Sequence, residues 1–537
     1  MASTLSVCLI VKDEASILGP CLDSVKGLAQ QVVVCDTGST DNTVKIAEKS
    51  GATVCHFEWT NDFAAARNAA LAHATGDYIL LIDADERLSR ASKKSIKQAL
   101  KKPDWDVGLL ELFNASRLDA TESQVLSGAA SLGEGVLLPR VFRRTPDFRW
   151  EGVVHESPKT WLQSTPREAQ VLKGAIIHLG CVPELRTSLK KSERNLSLLE
   201  KRAQHEPENS VVWGYLAREY LQAERRLEAT VAIDTGYRAL QAQKARGERP
   251  SIVTVVTLKL QALLEQGDFE AMIQVADEAN GWGDPHPNIP ILKGLAAATL
   301  AQTKPDQRKA LLDEADRCFT RCLNWTHTLT RETVPGALSW AAAERLANVR
   351  LAQGRFDEAV PLFRRALKKA PSTLGCELGL VEALWRQKEL GPALKKLEPL
   401  LTDVGPDAWV LAAHLVSELS GPNDMVAMVQ RAMGLVAKNF KSPHRFGLLE
   451  EALLEARLYT GQAQAGPGLA GALGAVIGGE PLGRKHIDFV GIDRILKNLI
   501  QAGRANDLKA LLSPQAQQAL PGVGQAVSAF IASRRSG

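Results

Sequence analysis

No run of about 20 apolar residues occurs in the sequence, so no helix is expected to span a membrane. The short apolar run Val7–Val11 is followed at once by Lys12, Asp13 and Glu14, which does not fit a signal peptide. Cysteine is sparse: eight residues, none in a CxxC pair. The closest two, Cys318 and Cys322, sit one helical turn apart, as buried apolar residues would. Reduced thiols and a cytoplasmic location are the expectation, with neither a disulfide framework nor a zinc site. Net charge is only +4, so nothing in the balance demands nucleic acid or an anionic membrane surface. Neither GxGxxG nor GxxxxGK[ST] is present, which argues against a dinucleotide dehydrogenase and a P-loop enzyme. No Ser-His-Asp or Cys-His arrangement competes as a nucleophilic centre.

What is present is ordinary globular material. An apolar share of 45% against 23% charged residues excludes global disorder. At 537 residues the chain exceeds one hydrophobic core, and roughly two to four domains are expected. The first part alternates β-type runs with helical spacing: strands at Leu5–Val11, Gln31–Cys35, Thr53–Phe57 and Tyr78–Ile82, helices at Ala15–Leu28, Asn42–Ser50 and Asp62–Ala74. This β-α-β-α order predicts a parallel sheet with helices on both faces. Such sheets take ligands beyond the strand C-termini, where the polar clusters Lys12–Glu14, Asp36–Asp41 and Asp83–Glu86 fall.

From about Asn195 the period becomes helical and internal repeats appear. Between Ala343 and Pro371, Leu346, Gly354, Phe356, Ala359, Phe363 and Ala366 fall at the spacing of a tetratricopeptide repeat, whose period is about 34 residues. An earlier copy runs from Trp213 through Leu216, Ala217 and Tyr220 to Ala229, and a weaker one includes Gly267, Phe269 and Ala271. Leu374–Leu401 and Trp409–Val436 keep the length but lose the signature. Stacked helix pairs of this kind form a solenoid suited to peptides, or a scaffold for the first domain. The Gly-rich apolar stretch Gly466–Gly479 reads as a linker or loose helix pair.

Three clusters carry chemistry. Asp83-Ala84-Asp85 follows a buried strand, and alternation along an extended chain would point both carboxylates the same way. Oxygen ligands at a sheet edge suit Mg²⁺ or Mn²⁺, which would bridge two phosphates. In Asp36–Thr43, Ser39, Thr40 or Asp41 suits a helix cap, whereas Asp36 at a strand end can accept from a base N–H or a ribose hydroxyl. In Trp59–Asn68, Asp62 suits a cap and Arg67 a phosphate or a uracil carbonyl.

Val7–Glu14, Asp36–Thr43, Trp59–Asn68 and Gly76–Glu86, in this order, resemble family 2 glycosyltransferases of the GT-A fold. The likeness is greatest to the bacterial group with a C-terminal tetratricopeptide array. It implies an α/β GT-A domain (Rossmann-like, mostly parallel sheet) over 1–185, an all-α solenoid of tetratricopeptide-like repeats over 186–460 and a helical cap over 461–537. It also implies a nucleotide-sugar site at Val11, Asp13, Glu14, Asp36, Arg67, Asp83 and Ala84, and a divalent cation, Mn²⁺ or Mg²⁺, on Asp83, Asp85 and His178. A UDP-sugar is the commonest donor. Relatives often carry Asn where Asp13 stands and a second Asp where Asn61 stands. A stretch similar to their EGxxHE motif runs from Glu151 to Glu156, which makes Glu156 and Glu151 candidates for the base of an inverting transfer, with His155 on the diphosphate or orienting the base. The resemblance implies a sugar transferred to a protein such as flagellin, recruited by the repeats. The alternatives are a lipid-linked or lipopolysaccharide acceptor, and a repeat scaffold with a degenerate transferase domain.

Overall fold

The computed structural model describes residues 2–132, 135–186, 189–282, 285–326, 333–370, 374–401, 406–439, 452–453 and 460. The cap expected over 461–537, with Gly466–Gly479, lies outside the described residues. The chain divides into two compact units. The first comprises Met1–Ala262, Asp277–Ile289 and Thr326–Pro335, and the second the rest.

The first unit opens with β1 (Leu5–Val11), α1 (Leu18–Val25), β2 (Gln31–Asp36), α2 (Thr43–Lys49), β3 (Thr53–His56), α3 (Phe63–Ala72) and β4 (Tyr78–Leu81). It continues through β5 (Glu86–Leu88), α4 (Arg90–Ala99), β6 (Val107–Asn114), α5 (Glu122–Leu126), β7 (Val136–Arg143), α6 (Lys159–Ser164), β8 (Ala169–His178) and α7 (Pro183–Arg186). The strands make one sheet in the order β3-β2-β1-β4-β7-β6-β8-β5. It is mostly parallel: β3–β2, β2–β1, β1–β4 and β6–β8 run parallel, while β7 enters antiparallel between β4 and β6, and β5 closes antiparallel on β8.

Period-two alternation decides which residue joins which layer. Leu5, Val7, Leu9 and Val11 of β1, with Tyr78 and Leu80 of β4, pack against Leu18, Leu22 and Val25 of α1 and Ile96 of α4. Cys8, Ile79 and Leu81 face the other way, onto Ala64, Ala70 and Leu71 of α3 and the aromatic group Phe142, Phe148, Trp150 and Trp161. Both faces of the central strands are therefore buried. As a result the loops after β1, β2 and β4 emerge together at one polar edge.

Helices follow: α8 (Leu189–His205), α9 (Ser210–Gln222), α10 (Arg226–Ala245) and α11 (Val253–Gln266). Val212, Leu216 and Ala217 of α9 share a core with Leu196, Leu199 and Ala203 of α8, Ile233 of α10, and Val154 from the sheet domain. The chain then runs through α12 (Phe269–Asn280), α13 (Asn288–Thr303), α14 (Arg308–Leu323), α15 (Trp340–Ala352), α16 (Phe356–Leu367), α17 (Leu374–Arg386), α18 (Leu390–Leu397), α19 (Pro406–Ser420) and α20 (Pro422–Asn439). Within the second unit the repeat signature has a direct packing meaning. The buried ring of Phe363 in α16 lies so close to Gly379 in α17 that an added Cβ would sit 2.4 Å from it. Phe319 of α14 lies against Gly294 of α13 in the same way, at 2.7 Å. Small residues set the helix spacing and aromatics fill what is left. No described helix is long and apolar enough to cross a membrane, and all eight cysteines are free thiols.

Candidate functional site

The loops after β1 and β2 are laced into one surface. Thr37 donates its N–H to the Val11 carbonyl at 2.9 Å, and its hydroxyl to the same oxygen at 3.0 Å. Asp13 Oδ1 accepts the Thr40 N–H at 2.7 Å, while the Asp13 N–H donates to Ser39 Oγ at 2.9 Å. The Glu14 N–H donates to Thr43 Oγ1 at 2.8 Å. Asp13 has φ +53° and Asn61 φ +61°, the left-handed region that Asn and Asp tolerate best among residues with a Cβ. Backbone conformation therefore constrains the residue type at both positions. Asn61 Oδ1 also accepts the Trp59 indole N–H at 3.0 Å. Asp36 is buried at the end of β2, and its carboxylate accepts the N–H groups of Gly38 and Ser39 at 3.2 Å.

Asp83-Ala84-Asp85 is not extended chain. β4 ends at Leu81, and the Glu86 N–H donates back to the Asp83 carbonyl at 3.0 Å, closing a turn. The two aspartates consequently take separate partners. Asp83 Oδ1 accepts from Arg67 Nη2 at 3.1 Å. Asp85 Oδ2 faces His178 Nε2 at 3.6 Å. Ala84 is buried, and its carbonyl accepts from Arg87 Nη1 at 2.8 Å. The expected trio Asp83, Asp85 and His178 does not form: among the described residues no group of three or more His, Cys, Asp or Glu side chains is gathered to hold a metal.

The pair that remains has the chemistry of a cation site. His178 Nδ1 pairs with Asn114 Oδ1 at 2.7 Å; with Nδ1 as donor there, Nε2 is the ring atom left to face Asp85 and, once deprotonated, to ligate a cation. A Cβ on Gly180 would lie 2.5 Å from both Asp85 Oδ2 and His178 Nε2, so both atoms converge on space that only a glycine leaves open. These residues fit a divalent cation that takes further oxygens from a ligand. Burial alone would lower the His178 pKa, but Asp85, Cys181 and Glu86 outweigh it and push it up to about 10. A bound cation would replace that proton.

Arg67 is the hub. It is buried on α3, whose first turn Asp62 caps by accepting the Ala65 N–H at 2.9 Å. Its Nε donates to Glu156 Oε1, and its Nη2 to Asp83. Its Nη1 has no hydrogen-bond partner among the described residues. Burial disfavours its charge, but Asp83 and Glu156 outweigh that and hold its pKa above the usual range. Burial likewise works against the Asp83 charge, and Arg67 and Arg140 overcome it, holding that carboxyl below its usual value.

The two glutamates of the EGxxHE-like stretch differ. Both Glu151 oxygens accept from Thr160, its N–H and its hydroxyl, each at 3.0 Å, at the start of α6. Glu156 instead meets Arg67. His155 is exposed, has φ +52°, and stacks on Tyr215 of α9 with ring centroids 4.0 Å apart. Sequence reading overlooked Arg140 and Asn114 as supports and named Glu86 only as a neighbour of the pair. Glu86 Oε2 accepts the Asp83 N–H at 3.0 Å and Oε1 meets Arg140 Nη2 at 2.5 Å, so it braces the turn from within the core. Asn68 also escaped notice. Its amide clamps the Trp150 backbone by two bonds of 2.9 Å, a signal that the Arg67-Asn68 dipeptide hints at only by adjacency.

A mostly parallel α/β sheet with polar loops gathered beyond β1, β2 and β4, followed by tetratricopeptide-like helices, is the architecture of a GT-A-type domain joined to helical repeats. Residues 6–131 match the model of glycosyl transferase family 2, and the chain carries a family 2 domain at its N-terminus. A TPR repeat-containing protein of Synechococcus elongatus is 40% identical over 152 residues, covering 28% of this chain and 34% of that protein. The SPbeta prophage-derived glycosyltransferase SunS of Bacillus subtilis is 26% identical over 268 residues, 50% of this chain and 60% of that protein. The chain thus spans between about a third and three fifths of these curated relatives. A crystal structure of glucosyl-3-phosphoglycerate synthase from Mycobacterium tuberculosis, in complex with Mn²⁺, UDP and glucosyl-3-phosphoglycerate, overlays with a TM-score of 0.18 at 26% identity, covering 21% of this chain and 44% of that one.

Proposed function

We propose that this chain is an inverting glycosyltransferase that moves a sugar from a nucleotide-sugar donor, UDP-linked in the first instance, to a polypeptide acceptor such as flagellin brought by the repeats. The catalytic part is residues 1–185, the repeats 186–460 and the cap 461–537. The observation that carries the reading is Arg67, a buried guanidinium that joins Asp83 to Glu156 while its Nη1 keeps a donor unused among the described residues. A fixed positive group next to Asp83 suits a diphosphate, and Asp36 at the end of β2 suits the base or ribose. Val11, Asp13, Glu14 and Ala84 shape the same edge through their backbone.

Asp85 and His178 would hold Mn²⁺ or Mg²⁺, which offsets negative charge on a departing diphosphate. Glu156 is the better of the two base candidates. Glu151 is committed to Thr160 through both oxygens, whereas Glu156 keeps one oxygen outside its Arg67 contact and takes the proton as the acceptor attacks. His155, the preceding residue, would hydrogen-bond the diphosphate or orient the base.

The test is calorimetric titration of the protein with UDP, then GDP, each with and without Mn²⁺. Metal-dependent binding that disappears in Asp85→Ala is expected. Absence of binding to either nucleotide under every condition would overturn the proposal in favour of a non-catalytic scaffold.

A further inference from the structure

We propose that the first helical repeat is a working part of the catalytic site, with Arg202 of α8 and Tyr215 of α9 as positioning residues for the loop that carries Glu156. The inference rests on the transferase reading for its catalytic meaning, but the seating of the loop stands on geometry alone.

The loop from Trp150 to Ser157 has few means to hold its own shape. Its one internal pairing is a bridge in which Glu151 and Ser157 exchange two backbone hydrogen bonds of 3.0 Å. Between them, Gly152 at φ +96° and His155 at φ +52° occupy left-handed conformations. For a residue with a Cβ, such as His155, this conformation is strained and persists only where surroundings over-determine it.

Those surroundings come from two sides. From the sheet domain, the Phe63 N–H donates to the Val153 carbonyl at 2.9 Å, Asn68 holds Trp150, and Arg67 holds Glu156. From the helices, Arg202 Nη1 donates to the Val154 carbonyl at 2.8 Å. Arg202 is itself fixed: its Nε donates to Glu206 Oε1 at 2.8 Å, and Glu206 Oε2 accepts from Asn209 Nδ2 at 2.7 Å. A Cβ at residue 152 would approach Arg202 Nη1 to 3.0 Å, so glycine is what lets the guanidinium reach past to Val154. The Tyr215 ring lies nearly parallel to His155, at 20°. Val154 completes the core of Leu196, Leu199, Val212 and Leu216.

The bridging loop transmits the repeat's position inward. Tyr215 and Arg202 fix residues 154 and 155, the next residue is Glu156, and Glu156 meets Arg67, which meets Asp83. All of these belong to one compact unit that runs past residue 185 to Ala262. A small displacement at such a place suffices: misplacing a reacting group by 1 Å costs on the order of 10²-fold in rate.

The experiment uses the full chain and the variants Arg202→Met, Arg202→Lys, Tyr215→Leu and Tyr215→Phe. Three quantities are read: amide hydrogen exchange of residues 151–157, UDP affinity by calorimetry, and release of UDP from UDP-glucose. Met and Leu are expected to speed exchange across 151–157 and to lower turnover by about tenfold or more, with UDP affinity within about twofold. Tyr215→Phe, which keeps the ring, and Arg202→Lys, which keeps a donor, should recover most of both. Unchanged exchange in Tyr215→Leu and Arg202→Met overturns the positioning role. Faster exchange with unchanged turnover overturns its link to catalysis. If the unmodified protein binds neither UDP nor GDP, the transferase reading is what fails, and the exchange measurement still decides whether the repeat holds the loop.

Discussion

Arg140 and Glu86 form an ion pair of 2.5 Å inside the core, directly behind the turn that presents Asp83 and Asp85. Both residues are buried, at 9% and 1% exposure, so neither can fall back on water. Arg140→Met should lower unfolding stability by about 1–3 kcal/mol, the cost of leaving the buried Glu86 carboxyl, then protonated, without its partner. Urea denaturation measures it; a loss within error would mean that Glu86 is not held by Arg140.

The same pair gives a pH signature. Burial pushes the Glu86 carboxyl up to about 7 from its ordinary 4.5, outweighing Arg140. The folded state therefore binds this proton more tightly than the unfolded chain does. That contribution is fully present below about 4.5 and is lost as pH rises through about 7. Urea midpoints of the unmodified protein should fall between pH 5 and pH 8 more steeply than those of Glu86→Gln. Parallel slopes would assign the pH dependence to other groups.

Gly180→Ala probes the proposed cation site without removing a ligand. Its methyl would occupy the space on which Asp85 Oδ2 and His178 Nε2 converge. Mn²⁺-dependent UDP binding should weaken by about 10–100-fold, the usual cost of disturbing the surroundings of a metal site, while metal-free UDP binding changes little. Equal loss with and without Mn²⁺ would point instead to a general distortion of the loop.

The two glutamates separate cleanly. Glu156→Gln should leave UDP affinity intact and slow transfer by about 10²–10⁴-fold. Glu151→Gln should cost only loop and helix order, about 1 kcal/mol for the weakened cap at Thr160. Single-turnover rates and thermal melts of both variants decide it. A reversed pattern would make Glu151 the base.

In the second unit, Phe363→Ala should destabilise by about 3–5 kcal/mol, because it empties the hole beside Gly379. Gly379→Ala should also destabilise, by about 1–3 kcal/mol of overpacking. Denaturant unfolding of each variant checks the pair, and a neutral Gly379→Ala would show that the two helices can part at no cost.

Local features were legible in the sequence because their causes are local. β1 falls on Leu5–Val11 as its apolar run predicts, and Asp62 caps α3 as its position before the alanines suggests. The repeat signature around Phe363 likewise encodes contacts between neighbouring helices. The site itself was legible as a set of loops, not as a set of contacts. Arg67 and Glu156 are 89 residues apart, Asn114 and His178 are 64 apart, and Arg140 and Glu86 are 54 apart. These pairings depend, in turn, on the loop before α6, on the parallel register of β6 against β8 and on the antiparallel entry of β7, which no local period encodes. The expectation that Asp83 and Asp85 share a direction failed for a related reason. It assumed extended chain, and the Glu86 N–H closes a turn there.

Asn288 holds the first unit's separate segments together: its Nδ2 donates to Thr257 Oγ1 at 3.1 Å and its Oδ1 accepts the Val334 N–H at 2.8 Å. This gives the protein a timetable during synthesis. The sheet and its loops leave the ribosome early, but that last bond must wait until residue 334 has followed. At roughly 5–20 residues per second, the interval after residue 262 lasts on the order of ten seconds. For that period the nascent first unit lacks the Asn288–Val334 bond.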